Sequence, residues 1–438
     1  MELSLDLIIT KARTSKYDYY YEFTEGYRAN YADYFEQGQA VHVTATVEGD
    51  SDRLQIIKME KTDKKEMILQ NLRKNTTLNK IDFLVDDEVT RALRPSLETA
   101  ARELLLSQKL GRYILLKFHN DADGVAGAFA LTGFLRTFSV QHNSAVYSSR
   151  DAVRDLNSLY QEQTPLVVLL DFGANSESKE GLELLKAAGI QTIIIDHHPL
   201  GENTSKYAFV VSPWTTGKGH ELSRYTAGYL AIEIARLAGS KKPDDESLAK
   251  VSLAGDKSDL LLISQEDRDK ALVLDYMSSY ASFGNNLDFY KNVMRKDELF
   301  HSMLGQAREK IGHITEMARK TMHTSEINGA NFYVVDLENI MKHSDFPSRG
   351  KIATQIFESL DQAKPNVVIG YGKQSIVIRV NDKAAELGIR ANDMIEKVKG
   401  TMRDFIKSGG GHAKAAAVLT QDGFAKNVVE EMLRLAKA

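Results

Sequence analysis

Between residues 113 and 260 the apolar positions fall in short unbroken runs. YILLKF (113–118), LVVLLDF (166–172) and QTIIIDHH (191–198) show no polar alternation, and helical patterns at 125–138, 178–189 and 224–239 lie among them. Strands that are apolar throughout are buried on both faces, so this rhythm predicts a parallel sheet wrapped in helices. The flanks differ. AVHVTATVEG (40–49) and RLQIIKME (53–60) alternate β-branched and polar residues and are joined through Gly49, Asp50 and Ser51. They predict a small antiparallel sheet or barrel. A helix with Leu93, Leu97, Ala100, Ala101, Leu104 and Leu105 on one face leads into the parallel sheet.

After the parallel sheet comes a helix-rich stretch, 265–322, and then a second β–α alternation. It runs through NFYVVDL (331–337), NVVIGYG (366–372) and SIVIRV (375–380), helices at 383–399 and 401–407, a turn at SGGGH (408–412) and a final helix. The expected class is α/β. Its domains are a β-rich, OB-like segment 1–65, a parallel-sheet domain 66–262 with leading helices 66–112, a helical connector 263–325, and a smaller α/β domain 326–438.

Composition narrows the function classes. The 438 residues exceed one ordinary core, and apolar and charged fractions of 43% and 26% fit a soluble globular chain. No apolar run approaches the roughly 18 residues of a membrane span. The opening MELSLDLIITKART shows no signal-peptide pattern, and the expected location is the cytoplasm. With no cysteine, disulfides, zinc–thiolate sites and thiol nucleophiles are excluded. A net charge of −4 means that a polyanionic partner must be drawn by local patches or by bound metal. Seven of the eighteen tyrosines lie between Tyr17 and Tyr34, with Lys58, Lys61, Lys64 and Lys65 following. That composition suits a single strand, whose bases stack on tyrosine, and it equally suits tyrosines packed in a core.

The chemistry collects where the apolar strands end. HNDADG supplies His119, Asp121 and Asp123 after one strand, and Asp171 ends LVVLLDF. Asp196, His197 and His198 end TIIIDHH, and Asp256 closes the apolar stretch of SLAGDKSD. Singly, each reads as a capping aspartate, a core histidine or a charged turn. At the tips of successive parallel strands they would converge in one crevice, the rim where open α/β sheets bind ligands. Carboxylates and imidazoles without sulfur favour Mn²⁺ or Mg²⁺, with Zn²⁺ or Co²⁺ open. Four carboxylates among six or seven ligands can hold two ions about 3.5–4 Å apart, and phosphoryl chemistry there needs no protein nucleophile. Further on, Gly409, Gly410 and Gly411 offer bare N–H groups to an anion, and Arg379 a bidentate phosphate contact. Alone, these are a flexible turn and a strand-edge charge.

HNDADG, LLDFG, IDHHP and LAGDKSD, in that order, resemble the four motifs of the DHH phosphoesterase superfamily, and SGGGHAKAAA with the arginine of SIVIRV resembles its DHHA1 domain. The stretches at 82–112 and 211–231 resemble archaeal RecJ-like nucleases, and the likeness covers roughly residues 80–435. The resemblance implies that His119 and Asp121 ligate one metal, Asp123, His197 and Asp256 a second, and that Asp171 bridges them. It implies that Asp196 orients a histidine and that His198 meets the substrate phosphate and protonates the leaving oxygen. It further implies a substrate clamp of Arg379, Gly409, Gly410, Gly411 and His412. Ser212, Val377 and Ala417 depart from the pattern at positions near phosphate-binding surfaces and leave substrate preference open. The implied activity is a two-metal exonuclease on single-stranded DNA or RNA in replication or repair. The alternatives are a hydrolase of nanoRNA, 3′-phosphoadenosine phosphate or cyclic dinucleotides, and a scaffold bound to a GINS-like replication complex or a repair helicase.

Overall fold

A computed structural model describes residues 2–47, 52–219, 221–240, 242–280, 286–341 and 346–437. The turn expected at Gly49, Asp50 and Ser51 lies outside the described residues. The chain divides into two compact units: Met1–Leu274 with Ala281–Arg295, and Asp275–Tyr280 with Lys296–Ala438. Among the described residues no helix is long and apolar enough to cross a membrane.

The first unit opens with an antiparallel sheet of β1 (Glu2–Thr14), β2 (Tyr19–Phe23), β3 (Arg28–Tyr31), β4 (Ala40–Val47) and β5 (Leu54–Lys61), in the order β3-β2-β1-β4-β5. A parallel bridge between Arg28 and Arg53 ties its two ends, curling the sheet into a half-barrel. Side chains alternate across a strand, so Leu7, Ile9, Tyr21, Phe23, Val41 and Val43 fill the inside. The sequence pattern indicated β4 and β5 but not β1 to β3. Ile8 points away from the barrel core yet is buried with Ala40 under Ile68 of helix α1 (Lys65–Asn75). The stretch LIIT is therefore apolar on both faces and hides its alternation.

Helix α2 (Glu88–Lys109) starts at a capping box between Asp87 and Thr90 and buries Leu93, Leu97, Ala100, Ala101 and Leu104. The expected parallel sheet follows. Its elements are β6 (Ile114–His119), α3 (Ala122–Leu131), β7 (Phe138–His142), α4 (Ser149–Leu159), β8 (Leu166–Leu170), α5 (Lys179–Ala187), β9 (Gln191–Ile195) and β10 (Phe209–Val211). Helices α6 (Ala227–Leu237), α7 (Asp245–Gly255), α8 (Gln265–Tyr280) and α9 (Asn286–Arg295) come after it. The strand order is β10-β9-β8-β6-β7, all parallel. Connections leave β6 and β8 in opposite directions, so the crevice that such a reversal opens lies at the carboxyl ends of these two strands. The helix expected at 125–138 is shorter: it ends at Leu131, and Phe138 begins edge strand β7. An exposed edge lacks the continuous apolar run of the inner strands, which is why its sequence resembled a helix end.

The second unit comprises α10 (Asp297–Lys320), β11 (Met322–Ile327), β12 (Ala330–Asp336), α11 (Arg349–Glu358), β13 (Asn366–Tyr371), β14 (Ser375–Val380), α12 (Asp382–Glu386), α13 (Ala391–Met402), β15 (Ile406–Gly411), β16 (Ala415–Thr420) and α14 (Ala425–Lys437). Six strands form one sheet, β11-β12-β13-β14-β16-β15. The helix expected at 383–399 is broken into α12 and α13. The helix expected at 401–407 and the turn at 408–412 are instead mostly β15, an edge strand paired antiparallel with β16. Glycine carries no preference of its own for a strand; the ladder with apolar Ala416 and Val418 imposes it.

One charge stands inside the parallel sheet. Lys117 of β6 is 3% exposed and its Nζ lies 2.7 and 3.0 Å from the oxygens of Asp155, which also accepts from Tyr147 Oη at 2.8 Å. Removing one partner of a buried pair leaves the other charge uncompensated. Lys117→Met is expected to destabilise the protein by about 3–5 kcal/mol, read from urea unfolding, whereas Lys117→Met with Asp155→Leu recovers much of the loss.

Candidate metal centre

The strand ends deliver the acidic residues to one place. Asp121 caps α3, its Oδ1 accepting from Gly124 N at 3.0 Å, and its Oδ2 lies 2.6 Å from His119 Nδ1. Asp171 follows β8 in the left-handed region (φ +66), with its N–H donating to Ile195 O. His197 and His198 follow β9. Asp256 departs from expectation: it caps the carboxyl end of helix α7 rather than ending a strand. The apolar stretch before it is a buried helix, which short apolar runs alone do not distinguish from a strand. Its carboxylate nonetheless reaches His197 Nε2, at 3.0 Å.

Three overlapping groups of ligand atoms result, each with its members within 4.8 Å of one another: His119, Asp121 and Asp171; Asp123, Asp171, His197 and Asp256; and Asp171, His197 and His198. Asp171 belongs to all three. Its Oδ2 lies 3.5 Å from His119 Nδ1, and its Oδ1 lies 3.5 Å from His197 Nε2. Both oxygens are buried without a hydrogen-bond partner, and His197 Nε2 has only its contact with Asp256. A buried polar atom left unpaired costs about 1–3 kcal/mol, and more for a charged group, so the two Asp171 oxygens aimed at one point mark a place for a cation. His197 Nδ1 donates to Ser223 O at 2.7 Å, which turns Nε2 toward that point, where a metal would displace its proton.

The surroundings hold these groups still. Asp123 accepts from Ala227 N and Gly228 N, both at 2.9 Å, at the start of α6, and from Ser252 Oγ. The approach requires glycine, because a Cβ on Gly228 would stand 2.7 Å from both Asp123 O and Asp123 Oδ1. Asp196 is fully buried. Its Oδ2 accepts from Ala174 N at 2.9 Å, and its Oδ1 faces His198 Nδ1 at 2.8 Å, tying the loops after β8 and β9 together. His142, which the sequence did not single out, ends β7 beside His119 and stacks on Phe172 at 4.3 Å, next to Asp171. A polar residue on an edge strand gave no local sign of this.

Protonation follows from the crowding. Burial, reinforced by Asp121 and Asp123, pushes Asp171 well above the usual carboxylate range; burial and Asp256 raise Asp123 to about 6. Burial opposes charge on the histidines, but Asp121 outweighs it at His119, raised to about 9, and Asp256 at His197, raised to about 10. Burial likewise opposes the charge of Asp196, but His198 outweighs it and holds the carboxyl down at about 2.

In the second unit Arg379 lies on β14, with Nε donating to Thr354 Oγ1 at 3.1 Å and Nη1 to Ile378 O at 2.9 Å. Gly409, Gly410 and Gly411 lie on edge strand β15, and His412 N donates to Ala415 O at 2.7 Å. A Cβ on Gly410 would meet open space, whereas one on Gly411 would strike the backbone of Ala415 and Ala416. Arg349 at the start of α11 was missed in the sequence. It is buried, with Nη1 on Ser375 Oγ at 3.2 Å and Nε unpaired.

Fold and cluster together define an α/β protein with an acidic and histidine centre that could hold metal ions. Residues 113–255 match the DHH family, N-terminal domain, and the fold is similar to that of RecJ. It is 25% identical to the uncharacterized protein MJ1198 of Methanocaldococcus jannaschii, over 91% of this chain and 62% of that relative, so it spans about three fifths of the relative's length. Among solved structures, the DHH domain of a protein described as belonging to a family of ribosomal proteins superposes with a TM-score of 0.75 at 22% identity, covering 85% of this chain and 97% of that one. RecJ of Thermus thermophilus, solved with Mn²⁺, gives 0.53 at 16% identity, covering 78% of this chain and 54% of RecJ.

The raised groups set a pH dependence. Carboxyls and imidazoles raised in the metal-free fold stabilise it while protonated, and that contribution is lost as pH climbs through their folded values, near 6 for Asp123 and near 9 to 10 for the histidines. Metal must displace those protons, so its affinity rises over the same range. Saturating Mn²⁺ is therefore expected to raise Tm in calorimetry, by roughly 5 °C or more at pH 8 and by less at pH 6.

Proposed function

We propose that this protein is a metal-dependent exonuclease that hydrolyses single-stranded DNA or RNA from an end. The carrying observation is buried Asp171, with two unpaired oxygens between His119 and His197. His119, Asp121 and Asp171 would hold one divalent ion, and Asp123, Asp171, His197 and Asp256 a second; the likeness to Mn²⁺-bound RecJ favours manganese, with Mg²⁺ or Co²⁺ as substitutes. Bound there, the ions would polarise a phosphoryl oxygen and lower the pKa of a water.

The chain's own groups do the rest. Ser223 O fixes His197, and Asp196 holds His198 by Nδ1, leaving Nε2 to meet the phosphate and protonate the departing oxygen. In the second unit Arg379, His412 and the edge strand at Gly409, Gly410 and Gly411 would bind phosphate, with Arg349 in support. A role in DNA replication or repair, with single strands as partner, accompanies this reading.

Metal-stripped protein, with and without Mn²⁺, should be incubated with single-stranded DNA and RNA oligonucleotides labelled in turn at each end. Mononucleotides released from one end only with metal, and none by Asp171→Ala, are expected. Asp196→Asn should lose roughly 10–100-fold in rate while still binding metal. Intact long strands with rapid cleavage of dinucleotides would make the protein a small-nucleotide hydrolase. No cleavage at all would leave a scaffold for a replication complex or helicase.

A further inference from the structure

We infer that the outer face of β2 and β3, with the groove beside it, holds the body of a single-stranded nucleic acid while its end is cut. The inference rests on the nuclease reading and deepens it. The strand order β3-β2-β1-β4-β5, with the parallel tie between Arg28 and Arg53, is that of a five-stranded barrel. Barrels of this order bind oligonucleotides across strands two and three and the loop between strands one and two. That loop carries Tyr17, 86% exposed, with Lys16 Nζ 5.1 Å from its ring centre.

Alternation sorts the tyrosine cluster. Tyr21 and Phe23 face the core, so Tyr20 and Glu22 face out. Register then places Arg13 and Asn30 opposite Tyr20, and Lys11 and Arg28 opposite Glu22. Lys11 is paired with Glu22 and Arg28 with Asp52, so the outer face offers an aromatic ring beside Arg13 and two ion-paired cations, a surface that can grip a strand by stacking and by its phosphates.

Beside this face a groove of about 1000 Å³ runs between the barrel and the carboxyl end of α2. Five cations line it, Lys11, Arg28, Lys109, Arg112 and Arg136, against the carboxylates of Glu22 and Glu25; Arg28 is paired with Asp52 and Arg112 donates to Thr164 O and Pro165 O, which leaves Lys109 and Arg136 as the groove's available charges. In a chain of net charge −4 this is a local positive excess. Lys109 reaches Thr76 Oγ1 at 3.4 Å, and Arg136 is exposed; neither is matched by a carboxylate among the described residues. Just beyond them Phe138, 57% exposed, stacks on Tyr113 with ring centres 6.1 Å apart, a second flat surface for a base.

A mere seam between barrel and sheet would need only the contacts that dock it, such as Gln37 Nε2 on Gly111 O at 3.0 Å. Unmatched cations and exposed rings are surplus to docking. The groove adjoins the start of β6, whereas the metal cluster lies at its end, about 20 Å away for six residues of strand. A strand must be several nucleotides long to touch both.

The test measures binding of labelled 20-mer and 4-mer single strands by fluorescence anisotropy, with Asp171→Ala protein in EDTA so that nothing is cut. In that background Tyr17→Ala and Tyr20→Ala are each expected to weaken the 20-mer by roughly 5-fold or more. Lys109→Glu and Arg136→Glu should each lower the salt dependence by about one unit of slope, and Lys109→Arg should restore it. The 4-mer, too short to cover both the barrel face and the groove, should bind more weakly than the 20-mer. No binding of the 20-mer, or wild-type affinity and slope in all four variants, would overturn the inference. Outcomes for the two readings separate: cleavage by wild-type protein with indifferent variants sinks the groove alone, and variant-sensitive binding without cleavage sinks the nuclease reading alone.

Discussion

The site depends on a single electrostatic constraint: carboxylates are brought together where water cannot screen them. Asp171 is the extreme case, buried, at positive φ, with neither oxygen bonded to the protein. Left ionised beside Asp121, Asp123 and Asp256 it would be strongly destabilising, so the metal-free fold answers with protons on carboxyls and imidazoles. Bound cations would answer the same constraint with more charge in less space. The proton and the ion are alternative solutions to one problem, and the fold is built so that one of them must be present.

The sheet sustains that crowding by taking the surrounding freedom away. The reversal of connection direction between the parallel strands β6 and β8 opens the crevice, and neighbouring groups then lock each loop without calling on the metal. Asp196 joins the loops after β8 and β9 through Ala174 N and His198. Ser223 O turns His197, and His142 braces Phe172 beside Asp171. The amino end of α6 neutralises part of Asp123's charge with two N–H groups, which the close approach at Gly228 permits. Because these ties hold the ligand atoms together without an ion, metal entry costs little conformational entropy.

What the sequence made legible follows from range. Inner strands apolar on both faces announced a parallel sheet, and ligands immediately after them announced the crevice. Asp256 lies beside Asp123, Asp171 and His197 but ends a helix rather than a strand, because a buried helix and a buried strand look alike over a few apolar residues. β1 was hidden by Ile8, buried under a helix that lies more than fifty residues away in sequence. The glycines of β15 read as a turn because their strand conformation is imposed entirely by β16. His142 and Arg349 carried no signal, since what distinguishes them is contact with Phe172 in one case and Ser375 in the other, pairings that only the folded chain creates.

The first unit thus holds two charge excesses of opposite sign, separated by the length of β6. At its carboxyl end, carboxylates exceed cations, and a phosphate approaching that rim without metal would meet repulsion. At its amino end cations exceed carboxylates, and a polyanion is attracted whatever the state of the rim. On the proposed reading this imposes an order that neither site imposes alone. A strand gathers first on the barrel face, where binding needs no metal, and its end becomes acceptable at the rim only once ions have replaced the protons there. A free mononucleotide product, too short to span both, keeps only the rim contacts and leaves more readily than the strand that produced it.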